Sequence, residues 1–177
     1  VITGTNFTNV SSVTFGSSNA TSFTVNSATQ ITAVAPVGVA GVVDVRVTTL
    51  GGTSTIVPAG QFTYFGLPTI DVVGPSSGPT GGATSVVITG TNFTGATAVT
   101  FGSTNATSFT VDSPTQITAV SPARPAGNVD IKVTNPGGAS EISLYGLYGQ
   151  FSYLSPPTIT SISPSTGSIT GGASVTI

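Results

Sequence analysis

Few side chains in this 177-residue sequence are equipped for chemistry. The charged ones are Asp44, Asp71, Asp112, Asp130, Glu141, Arg46, Arg124 and Lys132. Histidine and cysteine are both absent, so no Ser–His or Cys–His arrangement can activate a nucleophile. No Asp-x-Asp-x-Asp run supplies a calcium loop. Asp44 and Asp130 fall at equivalent points of a repeat and so belong a domain apart. No catalytic residue, metal ligand or cofactor is expected, and the chain reads as a non-enzyme.

Three other groups of residues are candidates for binding or modification. Asp44 with Arg46, and Asp130 with Lys132, are i, i+2 neighbours on the outer face of a strand. A solvated pair of this kind is worth ~0–1 kcal/mol; the sharper reading is a repeated contact to an adjoining protomer. An intramolecular Lys–Asn isopeptide needs a buried lysine, and Lys132 points outward with Arg46 in its place in the other repeat. Asn6, Asn9, Asn19, Asn92 and Asn105 each begin an Asn-x-Ser/Thr triplet. Asn6 and Asn92 sit in turn text, where local backbone hydrogen bonding explains an asparagine. Asn19 and Asn105, beside a turn, are the candidate glycosylation positions. Finally, Leu144, Tyr145, Leu147 and Tyr148 make an apolar stretch in a turn-like insertion. They form a candidate interface for a partner or a sugar, or a longer hairpin folding back on its own domain.

Composition narrows the classes further. Three basic residues cannot neutralise the roughly six to ten phosphates of a typical nucleic-acid contact, so no DNA or RNA partner is expected. No apolar run approaches the ~20 residues of a membrane helix. The chain is 38% apolar and only 5% charged, so Thr, Ser and Gly must cover the surface. That suits an extracellular or cell-surface protein.

The elements that must carry these residues follow from a repeat. Residues 1–8, Val-Ile-Thr-Gly-Thr-Asn-Phe-Thr, recur at 87–94, an offset of 86 (Gly90 minus Gly4). The offset holds through Phe23 and Phe109, Gln30 and Gln116, and Asp44 and Asp130. A unit of this size fits a small sandwich domain of about 100 residues. Apolar residues alternate: Val43, Val45 and Val47 with Asp44, Arg46 and Thr48, and Val129, Ile131 and Val133 with Asp130, Lys132 and Thr134. The complete repeat is read as strands near 68–73, 85–91, 97–102, 106–111, 115–121, 128–134, 139–144 and 149–154. Phe15, Phe23, Phe62, Phe101, Phe109 and Phe151 are expected in the core. Proline-bearing linkers at 65–68 and 154–157 leave little slack, so the array should be a semi-rigid rod.

These texts in fixed order carry a resemblance. They are Pro157, Ile159, Ile162, Pro164 and Gly167; Gly81 and Gly82; Val86 or Val87, Ile88, Gly90, Asn92 and Phe93; Val99, Phe101 and Gly102; and 115–119. Together they resemble the IPT/TIG immunoglobulin-like repeat over the whole chain. The resemblance implies an all-β chain of immunoglobulin-like β-sandwich repeats (IPT/TIG type) in tandem. It says less about function, because the family spans bacterial surface proteins and adhesins, polysaccharide-processing enzymes, animal receptors and some transcription factors.

The domain reading is a repeat over 1–66 without its first strands, a complete repeat over 67–154, and the opening strands of a further repeat over 155–177. Residues 157–177 are expected to complete the sandwich begun at Val1, either because a longer chain continues or because separate chains donate strands. The cut falls inside a strand, which favours continuation. The functional expectation is a structural repeat of an extracellular fibre, filament or adhesin stalk, partnered end to end by copies of itself. The alternatives are a module binding carbohydrate or a cell-surface partner, and an accessory domain of a secreted polysaccharide enzyme.

Overall fold

A computed structural model describes residues 1–141 and 148–177. It contains two β-sandwiches built from the two copies of the repeat. In the second, the Ser85–Thr91 strand shows how the sequence selects its own geometry. Val86, Ile88 and Gly90 are buried while Ser85, Val87, Thr89 and Thr91 are exposed, the period-two pattern of a strand with one face on a core. This strand lies between Gln116–Val120 and Thr69–Gly74, and Ser108–Ser113 closes the other edge of that four-stranded sheet. The facing sheet runs Ser77–Pro79, Gln150–Leu154, Gly127–Asn135, Ala98–Phe101 and Thr104–Asn105, with Gly138–Ala139 also paired to Gly127–Asn135.

Between the sheets lie Val86, Ile88, Phe93, Val99, Phe101, Ile117, Ile131, Val133, Phe151 and Tyr153, all buried. Phe101, Phe151 and Tyr153 meet edge to face, at centroid distances of 5.3 and 5.0 Å. This is the favoured aromatic arrangement.

The first copy repeats the registers. Phe15 opposes Val45 as Phe101 opposes Ile131. Each copy also has a bulge at its Val25/Ser27 or Val111/Ser113 position. There the bulged residues Asn26 and Asp112 hydrogen-bond to the Thr32 and Thr118 hydroxyls, at 2.8 and 2.7 Å. In the first copy the smaller sheet is Ser22–Ser27, Gln30–Val34 and Ile2–Thr3, and Gln61–Tyr64 pairs with Gly41–Thr49 in the larger one. At the 86-residue offset the counterparts of Thr69–Gly74 and Ser77–Pro79 would come before Val1.

Three expectations need correction. Phe62 is 38% exposed, against 0% for its counterpart Phe151. In the second repeat the backbone at Gly78 passes over Phe151, so that a Cβ there would sit 2.9 Å from its Cζ; at the 86-residue offset the counterpart of that segment would come before Val1. Ser77–Pro79 and Thr104–Asn105 are additional short strands, without apolar alternation to betray them. The strand expected over 139–144 begins and ends early, at Gly138–Ala139, while 142–147 lie outside the described residues.

Candidate functional site

The candidates read from sequence are dispersed. Arg46 Nε donates to the Ser54 carbonyl at 3.1 Å, and Asp44 accepts from Gln61 at 3.5 Å. Asp130 likewise accepts from Gln150 at 3.3 Å. Asp44, Arg46 and Asp130 therefore hydrogen-bond to flanking segments. Asn19 and Asn105 are exposed, each the second residue of a two-residue strand. Leu144, Tyr145 and Leu147 lie outside the described residues. Tyr148 is 57% exposed and lines two clefts beside the Thr69–Gly74 strand. Among the described residues, no three acidic side chains gather as a metal site. No helix among them is long and apolar enough to cross a membrane.

A denser constellation lies where one sandwich leads into the next. The linker backbone is held by two asparagines of the second repeat. Asn92, with φ of 59°, donates from Nδ2 to the Leu67 carbonyl at 2.9 Å. The buried Asn135 donates to the Gly66 carbonyl at 2.9 Å and to the Asn92 carbonyl at 2.8 Å. Its Oδ1 accepts from the Gly137 and Gly138 amides at 2.8 and 3.2 Å. Gly137 is required by proximity, since a Cβ there would lie 2.6 Å from the Phe65 carbonyl oxygen, whereas Gly138 is favoured by its φ of 135°, a Cβ on it meeting only the flexible tip of Leu67 at 2.7 Å.

The first repeat carries the equivalent turns. Asn6, at φ 61°, stands for Asn92, while Thr49 stands for Asn135. Gly51 and Gly52 stand for the hugged pair, yet a Cβ on Gly52 would meet nothing within 4 Å. A cleft of about 250 Å³ lies among Asn6, Phe7, Thr49, Gly51 and Gly52. Gly4 repeats the theme. At its counterpart Gly90, a Cβ would run into the Thr69 carbonyl, a neighbour that Gly4 lacks.

A second opening reaches the core itself. Ile2, Phe15, Ala33, Val45 and Phe62 line a cleft of about 430 Å³. In the second repeat the opening segment packs against the core through Ile70 and Val73, and Val86 is wholly buried.

At the far end of the chain, residues 157–177 are exposed throughout. Ser163 and Thr176 nonetheless form an antiparallel bridge, with reciprocal N–H···O bonds of 3.0 and 2.9 Å. The equivalent pair in the complete repeat is Gly74 and Val87, each 89 positions earlier. The tail thus keeps one register point of the opening hairpin.

A model of the IPT/TIG domain family matches residues 1–64 and again residues 68–153. The chain belongs to the IPT/TIG family. Among solved structures, the plexin A4 full extracellular region, domains 1 to 10, is 23% identical with a TM-score of 0.51; the match covers 88% of this chain and 14% of that one. SGBP-B from a complex xyloglucan utilization locus in Bacteroides uniformis is 24% identical, covering 79% of this chain and 42% of that one, with a TM-score of 0.40. SGBP-B of the Bacteroides ovatus mixed-linkage glucan utilization locus is 18% identical, covering 86% and 41%, also at 0.40. This IPT/TIG chain thus spans less than half the length of each. No curated protein sequence matches it.

The IPT/TIG text Gly-x-Asn-Phe acquires a physical meaning at the joint. Gly90 admits the Thr69 backbone, Asn92 holds the Leu67 carbonyl, and Phe93 is wholly buried. Asn135 escaped the sequence reading because Asn-Pro-Gly-Gly looks like a turn and nothing more. Arg124 escaped it too. Its Nη1 donates to the Phe101 carbonyl at 2.8 Å and to the Thr104 hydroxyl at 2.6 Å. Near it, burial pushes the Tyr153 hydroxyl above the ordinary tyrosine range, an effect softened by the Arg124 charge and the Ser121 hydroxyl. Among the described residues the Tyr153 hydroxyl makes no hydrogen bond of full geometry, although Ser121 is near enough to act on it.

Proposed function

We propose that this IPT/TIG chain is a non-enzymatic structural segment of an extracellular fibre or stalk, its sandwiches set end to end. One observation carries this reading. The linker is not a loose tether, because Asn92 and Asn135 bind consecutive linker carbonyls and leave the chain few conformations to explore. Each such bond contributes about 0.5–1.5 kcal/mol net, and together they oppose bending at the joint. The scarcity of charge supports the same reading, since the exposed strand faces are covered largely by Thr and Ser. Hydroxyl pairs such as Thr69 with Thr91, at 2.9 Å, bridge neighbouring strands there.

Images of the native material test the proposal. A stalk or fibre appears as filaments or extended rods, whereas compact single particles contradict it.

A second reading, a module for carbohydrate or a cell-surface partner, is favoured by Tyr148 alone. An exposed phenol ring between two clefts offers an apolar face and a hydrogen-bonding tip to a sugar. Titration with oligosaccharides, wild type against Tyr148→Ser, tests it: saturable binding lost in the variant supports the reading, and no binding by the wild type removes it.

A further inference from the structure

We propose that Asn105 and its counterpart Asn19 each carry an N-linked glycan, and that Asn92, which opens the same Asn-x-Ser/Thr text, stays bare. The inference rests only on the extracellular part of the reading above.

Geometry separates triplets that look alike in sequence. Asn105 is exposed, at the end of the two-residue strand Thr104–Asn105. It opposes Thr100, which lies between the buried Val99 and Phe101. Directly opposed side chains share a face, so Asn105 projects from the outside of the larger sheet. Asn19 opposes Thr14, between the buried Val13 and Phe15, and projects the same way.

Each triplet then crosses from one sheet to the other along the flank of its sandwich. The Ala106 amide donates to Val99 of the larger sheet at 2.8 Å, and the Thr107 amide to Val120 of the smaller one at 2.9 Å. Ala20 and Thr21 bond Val13 and Val34 at the same two distances. In the second copy Arg124 pins this hairpin further, through the Phe101 carbonyl and the Thr104 hydroxyl.

Asn92 is placed differently. Its Nδ2, the atom that would take the sugar, donates to the Leu67 carbonyl at 2.9 Å. A Cβ on Gly66 would lie 2.8 Å from that nitrogen, so the linker backbone leaves a sugar no room. Asn6 holds the same left-handed turn as Asn92, and Asn9 has Gly95 in its place in the second copy.

The sugar donor is a lipid-linked oligosaccharyl pyrophosphate. Nδ2 bonds to the sugar C1 as the bond from C1 to the pyrophosphate oxygen breaks. The lipid pyrophosphate leaves with that electron pair, and one amide proton passes to a base of the transferase. The product suits its place. Thr104–Asn105 and Ser18–Asn19 are the outermost strands on one side of their sheets. Proteins commonly block such edges with charge, and neither strand has a charged residue. A hydrated glycan blocks the edge instead.

Mass spectrometry of chymotryptic peptides from the native material tests the proposal. Peptides holding Asn19 and Asn105 should exceed their sequence mass by an oligosaccharide that fragments with sugar losses, and the peptide holding Asn92 should not. In chain secreted from a glycosylating eukaryotic host, Asn105→Gln and Thr107→Ala should each remove one glycan, the second while keeping the asparagine. Bare Asn19 and Asn105 in the native material overturn the proposal, as does equal modification of Asn92 or a Thr107→Ala chain that keeps its glycan. Filaments whose asparagines are bare leave the fibre reading standing and remove this inference alone.

Discussion

Asn135 Nδ2 donates to the Gly66 carbonyl at 2.9 Å, joining positions 69 residues apart in the chain. The same carboxamide also bonds Asn92, Gly137 and Gly138, so a single buried side chain ties the linker to two turns of the second sandwich. Asn135→Ala removes all four bonds and strands their backbone partners. It should destabilise the second repeat by about 1–3 kcal/mol in denaturant unfolding. It should also broaden the distribution of interdomain distances measured between spin labels on the two repeats. An unchanged distribution would show that the carboxamide does not hold the joint.

The two repeats should differ in stability despite near-identical text. Phe151→Ala empties a fully enclosed site and should cost about 3–5 kcal/mol. Phe62→Ala, at a site 38% exposed, should cost less. Amide hydrogen exchange checks the same asymmetry: Gln30–Val34 should exchange faster than Gln116–Val120, whose strand is flanked by a complete sheet. Equal protection would contradict this difference between the two sheets.

Alkaline pH should act through Tyr153. Burial, the largest influence, raises its hydroxyl above the ordinary 10.0. The folded state therefore binds this proton more tightly than the unfolded chain does. The contribution is fully present below pH 10.0 and is lost as pH rises through the higher folded value. Tyr153→Phe should remove that alkaline slope while leaving neutral-pH stability unchanged or slightly improved, because among the described residues the hydroxyl makes no hydrogen bond to lose. Urea midpoints from neutral to alkaline pH measure both effects.

Assembly should be indifferent to moderate salt. With three cations and five anions on the chain, there is little Coulombic attraction to screen. Association constants at low and moderate sodium chloride should agree within about two-fold, and an assembly that dissolves as salt rises would point to ion pairing instead.

Much of the fold was legible because the chain is repetitive and its strands alternate. Val129, Ile131 and Val133 announce a strand with one wet face, and the 86-residue offset aligns every strand of the first copy with one of the second. The joint was less legible. Asn135 looks like a turn residue, and its linker partners have no polar side chain to mark them. Ser77–Pro79 hid for a related reason, since a Ser-Gly-Pro strand recruited by parallel pairing has no apolar period. Phe62 shows the limit of reasoning from equivalence: its counterpart Phe151 is covered by the Gly78 backbone, a segment that lies before the text the two copies share.

The central claim is that the two sandwiches are set end to end by a joint that resists bending. The chain has no cysteine, so a Thr24→Cys, Thr110→Cys double variant places one spin label on each repeat, at exposed positions of equivalent strands. Dipolar distance measurement between the two labels should give one narrow distribution, because Asn92 and Asn135 fix consecutive linker carbonyls. A broad distribution of the kind a flexible tether gives would contradict the account.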